Sequence, residues 1–341
     1  MARNKSGRIT IEDVAAQAGV STMTVSRFLN DTGPVAARTA AKISDAIESL
    51  NYIPHQGARA LAARQTNVIG LILPEMDDVF FFQLIRGIQQ TAVGNGFDLL
   101  LYSSSNPGEI DVLNLPLGPH NTDGLIVFAN SLDSAALSRL HAQQFPLVSL
   151  LQTPSAELAI PAVAFENKAG AYSMIEHLVA CGHKKIAFLA GSAENEDAQW
   201  RDAGYRAAMA AHDIVIDTEL IAAANFNAET ARQIVAQWLA DDKTMDAIFA
   251  ADDVSARGAI VAVQDAGLRV PDDVAVVGFD DALLSQYIDP PLTTVRAPIE
   301  EAGRVAVEQL LHVMRNESAE SLTLLPTELV IRQSCGWQEH D

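Results

Sequence analysis

Cysteine is nearly absent. Cys181 and Cys335 are the only two in 341 residues, and their separation matches no zinc-ligand spacing. Two free thiols in a reducing compartment are therefore expected, with neither a disulfide framework nor a zinc site. No apolar run reaches the roughly eighteen residues that a membrane helix needs. The N-terminal stretch MARNKSGR leads into a helical pattern without an apolar signal region, so the chain is expected in the cytoplasm with no membrane partner. Catalytic signatures are missing too. There is no G-x-S-x-G elbow, no Walker loop and no H-E-x-x-H, and Gly94-Asn95-Gly96 precedes a strand where a dinucleotide fingerprint follows one. The eight histidines share no spacing, and His177 and His183 suit structural bonding at a helix end and turn. No enzyme, cofactor or metal is expected.

Basic residues are also scarce: 23 Lys and Arg face 43 Asp and Glu, a net charge of −20. The imbalance is uneven, however. Residues 1–65 hold eight basic residues against five acids, an excess of three, which leaves −23 for the remainder. A basic head on an acidic body can present its head to phosphates while the body is repelled. With 49% hydrophobic residues and a mean hydropathy of +0.12, the chain can bury a large core across two or three domains.

The head is legible from Thr10 to Asn30, TIEDVAAQAGVSTMTVSRFLN. Thr10 with Asp13 reads as a capped helix start, and Val14, Ala15 and Ala18 supply a narrow apolar face. Gly19 suits a left-handed turn, Val20 fills the angle, and Ser21 caps a second helix that turns Val25 inward. Small residues at the crossing allow the steep approach of a helix-turn-helix. The second helix leaves Thr22, Met23, Ser26 and Arg27 outside. Thr22 and Ser26 suit phosphate or base edges, Met23 a thymine methyl, and Arg27 the O6 and N7 of guanine. An ordinary amphipathic helical hairpin with solvated polar residues fits the same spacing.

That stretch resembles the N-terminal signature of the lactose-repressor family of bacterial transcription regulators. The likeness continues in HLVACGHKKIAFLAG, RDAGYRAAM, FAADDVSARGAI and VPDDVAVVGFDDALLSQYIDPPLTTVRAP. It implies a homodimer on a palindromic operator, with DNA contacts from Thr10, Ser21, Thr22, Met23, Thr24, Ser26, Arg27, Asn30 and Tyr52. A third helix, with Ala40, Ile43, Ile47 and Leu50 inward, completes the head at residues 1–53. Relatives cap it with serine where Ala36 stands, a loss on the order of 1 kcal/mol. Residues 54–66 include HQGARALAARQ, too short and too glycine-broken to be a stable isolated helix. The resemblance makes this a hinge helix that orders on DNA and wedges Leu61 into the minor groove, with His55, Ala58 and Arg59 also in contact. A flexible linker with an incidental leucine is the alternative.

From residue 67 to 336, apolar strands alternate with helices. VIGLIL, FDLLLY, DGLIVF and PLVSL read as strands buried on both faces of one doubly wound parallel lobe. PAVAF, KIAFLA, ELIAAA, DAIFA and VAVVGF make a second. The fold class is thus an all-α head plus a periplasmic-binding-protein-like α/β core. The resemblance implies that the chain crosses between lobes three times, near Phe165, Val295 and Leu325, so that the N-lobe is taken as about 67–164 with 297–324 and the C-lobe as about 165–296 with 325–336. Pro116, Gly118 and Pro119 interrupt the stretch where relatives carry a charged helix.

Ligands of such sheets bind beyond the carboxyl ends of the strands. Asn130, Ser131, Gln152, Asp252 and Asp280 follow strands, and Arg201 lies on the next helix. Carboxylates beside an arginine suit a polyhydroxylated ligand, while Phe226 and Trp200 could cover a sugar's apolar face. By resemblance, Arg201, Asp252 and Asp280 are effector contacts and Phe226 the aromatic wall; relatives often carry asparagine at position 252. Phe80 and Phe81 match a family aromatic pair, although Val79 replaces a proline and either ring could equally be core. Asp253 and Asp281 are expected as helix caps. The expected function is a repressor of sugar-utilisation genes responding to a small carbohydrate. A purine or other non-sugar co-repressor, a solute-binding protein, and a sugar-modifying enzyme with a DNA-binding head stand as alternatives.

Overall fold

A computed structural model of the chain describes residues 9–30, 33–53, 65–76, 79–103 and 115–337. The described residues up to Val68, with His120–Asp123, form one compact unit, and the rest from Ile69 onward form another.

In the head, Thr10 donates from its backbone N–H (2.8 Å) and its hydroxyl (3.0 Å) to the Asp13 carboxylate, which opens α1, Ile11–Ala18. Gly19 takes φ +67°, a left-handed turn that glycine adopts without a Cβ penalty, and Val20 N–H closes on the Ala15 carbonyl at 3.0 Å. The Ser21 hydroxyl accepts from Thr24 N–H at 3.2 Å and starts α2, Thr22–Asn30. Helix α3, Ala37–Ser49, begins at Ala36 without a side-chain cap. Val14, Ala15, Ala18, Val25, Ile43 and Ala46 form the buried centre, with Ile47, Leu50 and Tyr52 packed around it.

The second unit holds two six-stranded sheets. Along the chain run β1 (Val68–Leu73), α4 (Phe80–Gly94), β2 (Asp98–Ser103), β3 (Gly124–Phe128), α5 (Ser134–Ala142), β4 (Leu147–Leu150) and β5 (Ala162–Phe165). Then come α6 (Asn167–Ala180), β6 (Ile186–Ala190), α7 (Glu196–Ala211), β7 (Ile221–Ala223), α8 (Ala228–Ala240), β8 (Ala247–Ala250), α9 (Asp253–Asp265) and β9 (Ala275–Asp280). The chain finishes with β10 (Thr293–Arg296), α10 (Ile299–Met314), β11 (Leu322–Leu325) and β12 (Glu328–Val330). The first sheet has the order β11-β5-β4-β3-β1-β2 and the second β12-β10-β9-β8-β6-β7. The pairings β1–β3–β4–β5–β11 and β10–β9–β8–β6–β7 are parallel, and β12 lies antiparallel to β10. The chain thus leaves the first sheet after Phe165, returns after Arg296, and leaves again between Leu325 and Glu328.

One strand departs from expectation. The FDLLLY run is not buried on both faces: β2 is an edge strand, with Leu100 41% and Leu101 39% exposed. An apolar run alone does not say whether a strand has a neighbour on each side. The proline-interrupted stretch also has a use, since Leu115 and Leu117 are buried under the first sheet beside Leu125 and Leu137. Helices α8 and α9 approach so closely that a Cβ on Gly258 would lie 2.0 Å from the Ala228 carbonyl oxygen. The two cysteines are free, yet both sulfurs lie around one imidazole: His177 Nε2 is 3.3 Å from Cys335 and 3.6 Å from Cys181. His183 Nε2 lies 3.2 Å from the Cys335 carbonyl, so both histidines bond structurally. Among the described residues, no group of three His, Cys, Asp or Glu is arranged to hold a metal, and no helix is long and apolar enough to cross a membrane.

Candidate functional site

Two surfaces carry the side chains singled out by sequence. On the head, burial of Val25 turns the opposite face of α2 to solvent: Thr22 and Arg27 are exposed, and Met23 is 68% exposed. Arg27 Nη2 lies 4.0 Å from Met23 Sδ, so a thioether and a guanidinium stand side by side one helical turn apart. Behind them Asn30 Nδ2 donates to Ser26 Oγ at 3.2 Å, and the Ser21 and Thr24 hydroxyls bond each other at 2.9 Å. Thr10 is spent on Asp13, and Tyr52 packs half-buried against the head's core. His55, Ala58, Arg59 and Leu61 lie outside the described residues.

In the core, a cleft of about 990 Å³ opens at the carboxyl ends of the strands of both sheets. The backbone there is strained in a pattern that the sequence does not advertise. Asn130, Leu151, Asn225, Phe226 and Asp280 all line the cleft with φ between +54° and +101°, at or just past the ends of β3, β4, β7 and β9. Left-handed non-glycine residues are costly and concentrate where a ligand is held.

The first lobe contributes an aromatic wall. Phe80 and Phe81 stand edge-on to each other (5.5 Å between centroids) and to Phe128 (6.1 and 5.3 Å). Phe80 is half-buried and Phe81 only 8% exposed, so the second ring is largely core with one edge on the cleft. From the second lobe Phe226 faces the same space, its ring seated over Gly191, where a Cβ would come within 2.3 Å of it. Asn130 lines the cleft, and its Nδ2 reaches the Glu194 carbonyl at 3.3 Å. With Thr153 N–H donating to Glu196 Oε2 at 2.7 Å, this contact links the lobes at one side.

Arg201 anchors the floor and is almost fully committed. Its Nε donates to Asn167 Oδ1 (2.9 Å), Nη1 to the Ala251 carbonyl (2.5 Å) and Nη2 to Asp280 Oδ1 (2.8 Å), while its carbon stacks 3.9 Å from the Phe279 ring centre. Burial raises the Asp280 carboxyl above the ordinary carboxylate range, and Arg201 opposes that shift. Two residues in this network were not picked out from sequence. Asn167 bridges Arg201 and Asp197, donating to Asp197 Oδ1 at 2.8 Å, and Asp197 itself lines the cleft. Asp197 lies within AENED, a run of acids that reads as an ordinary helix start, so only its burial distinguishes it.

Four expectations are corrected. Asp252, not Asp253, caps α9, accepting from Val254 N–H (3.2 Å) and Ser255 N–H (3.1 Å) while also lining the cleft. Asp253 instead turns inward to Ala282 N–H (2.7 Å) and the hydroxyls of Ser285 and Thr294, and burial holds its carboxyl well above its usual range. Asp281 caps nothing; it pairs with Arg296 (2.8 Å) and Arg332 (2.6 Å). Gln152 lies behind the cleft wall and accepts from Asn130 N–H at 3.0 Å, so it positions Asn130. Trp200 points away to Glu196 and is 48% exposed, on the outer face of the helix that carries Arg201. In an Asp-Asp pair, which member caps depends on where the helix starts, and here it starts one residue earlier than a cap at Asp253 requires.

A helix-turn-helix head on a chain whose core is a two-lobed, strand-end cleft defines the class of ligand-responsive DNA-binding regulators. Residues 10–55 match the bacterial regulatory proteins of the lacI family, and residues 175–335 match a periplasmic binding protein-like domain. The chain is 33% identical to the transcriptional regulator DegA of Bacillus subtilis over 96% of its length and 98% of DegA's. It is 33% identical to the repressor PurR of Photobacterium profundum, covering 95% of this chain and 98% of that one. The lac repressor dimer bound to operator and the anti-inducer ONPF superposes with a TM-score of 0.83 at 30% identity, covering 96% and 99% of the two chains. The chain therefore belongs to the lacI family of bacterial regulators: it is a transcriptional repressor with an effector-binding domain, and not an enzyme.

Proposed function

We propose that this repressor binds a palindromic operator as a homodimer and changes its operator affinity when a small carbohydrate fills the cleft, controlling sugar-utilisation genes in the cytoplasm. Residues 1–53 read base edges, with Met23 and Arg27 as specificity contacts. Residues 54–66 couple the head to residues 67–336, and Leu61 wedges into the minor groove. The observation that carries the effector reading is the cleft floor, where Asp252, Asp280 and the Arg201 fork face aromatic Phe80 and Phe226 across one space. Carboxylates accept from hydroxyls, and rings cover the apolar face of a sugar.

Dimerisation is supported by exposed apolar side chains that a monomer has no use for. Tyr287 (74%) and Leu283 (57%) lie on the loop after β9. Mechanistically, an effector acts only through its different affinity for two arrangements of the lobes, which shifts the coupled heads. A purine co-repressor is a second reading, favoured by the likeness to PurR.

The test is selection from random duplexes, followed by binding to the enriched sequence with and without sugars and purines. A palindromic consensus whose affinity changes with a sugar is expected. No enriched sequence would remove the operator reading, and a response to purines alone would replace the carbohydrate.

A further inference from the structure

One carboxylate of the cleft wall has a role that the floor network does not use up. Asp197 is only 7% exposed and lines the cleft; its Oδ1 takes the Asn167 amide, and among the described residues no protein donor reaches Oδ2. Arg201 beside it donates to Asn167, Ala251 and Asp280 and makes no hydrogen bond to Asp197, on which it acts only through its charge. The other cations of the wall, Arg232 and Arg257, are exposed, and Arg232 is tied to Asp265. A buried acceptor left open toward a cavity calls for a donor from whatever fills it.

Building on the carbohydrate reading of the cleft, we propose that Asp197 is its specificity-determining residue: it accepts a hydroxyl hydrogen from a neutral ligand and excludes the phosphorylated or carboxylated counterpart. Around it stand Glu196 and Arg201 from its own helix, Asn167 from α6 and Asp280 from the end of β9, while Asp252 at the head of α9 lines the same cleft. Along the whole cleft wall, Glu75, Asp197, Glu229, Asp252, Asp253 and Asp280 outnumber Arg201, Arg232 and Arg257 two to one, and the latter two arginines are not buried. A phosphate placed there meets like charges at short range in a medium that screens them poorly, a penalty of roughly a hundredfold or more in affinity. A neutral polyol meets none.

The same geometry makes binding proton-linked. Burial first, then the charges of Asp280 and Glu196, push the Asp197 carboxyl up to about 7 against the opposing pull of Arg201. Below that value it is a neutral acid, a weaker acceptor for the ligand hydroxyl than the carboxylate is. Affinity for the neutral ligand therefore rises as pH increases through neutrality.

The experiment uses the purified full chain and matched probes: ribose with ribose 5-phosphate, glucose with glucose 6-phosphate and with gluconate, adenosine with its monophosphate. Thermal-shift screening finds the binder, and calorimetric titration measures it at pH 6 and pH 8. A neutral member should bind while its charged partner does not, with tighter binding at pH 8. Asp197→Asn, or Asp197→Ser if the first folds poorly, should flatten the pH profile and narrow the neutral-over-charged preference by about tenfold. Binding of a charged partner as tight as its neutral mate, or a pH profile unchanged in both variants, overturns the role of Asp197 and leaves the effector cleft standing. Silence from every pair overturns both.

Discussion

Replacing Arg201 by alanine is the most informative perturbation of the core, because the structure makes its main effect one on folding. Each of its three nitrogens donates to the protein, to Asn167, the Ala251 carbonyl and Asp280, and its side chain is 3% exposed against 12% for that of Asp280. The substitution leaves a buried carboxylate without its counterion and two acceptors without donors. Breaking a buried pair by removing one partner costs about 3–5 kcal/mol. Water entering from the cleft can satisfy some of the orphaned acceptors, which keeps the sum near that range and below the total of separate losses. For a core of this size each kcal/mol lowers the midpoint by about 2–4 °C, so a drop of roughly 6–20 °C is expected in scanning calorimetry of the full chain. Arg201→Lys, which keeps the charge but not the fork, should fall between. An Arg201→Ala chain within about 1 kcal/mol of the parent in urea unfolding would refute the claim that this arginine holds the cleft floor together.

The pH dependence of stability tests Asp197 without any ligand. Between 3.8 and about 7 the folded chain keeps a proton that the unfolded chain releases, so its stability falls as pH rises across that window and levels off above it. Relative to the parent, Asp197→Asn should gain almost nothing near pH 4 and on the order of 2–4 kcal/mol at pH 8; an equal gain at both values removes the titration from the account. Gly258→Ala should destabilise the second lobe by about 2–3 kcal/mol in urea melts, since the added carbon collides with the Ala228 carbonyl. Arg27→Ala should cost about 1–3 kcal/mol at one base of each half-site and flatten the preference there in competition binding against operator variants. Tyr287→Glu should yield monomers in sedimentation velocity if that loop is the dimer surface.

Much of the architecture could be read before any coordinates, for reasons particular to its elements. VIGLIL became β1 residue for residue, because a short β-branched run between breakers has few other outcomes. Thr10, Gly19 and Ser21 act within three or four residues of themselves, so the turn of the head follows from local chemistry. The side chains of the cleft divide differently. Arg201 and Asp280 carried enough charge at a strand end or helix start to stand out. Asn167 and Asp197 did not, since each is an unremarkable polar residue until α6 packs on α7 and the two meet 30 positions apart. Gln152 and Trp200 show the converse, suitable residue types whose direction was set by neighbours the sequence does not reveal.

By itself, then, the sequence determined the elements, their alternation and the family, because hydrophobic period, caps and turn residues act over short distances. Which carboxylate caps a helix, which strand sits at a sheet edge, which arginine is spent and which acid is left open to the cleft were decided only in three dimensions. Those outcomes depend on burial and on partners tens of residues away, and neither is a property of any short stretch of chain.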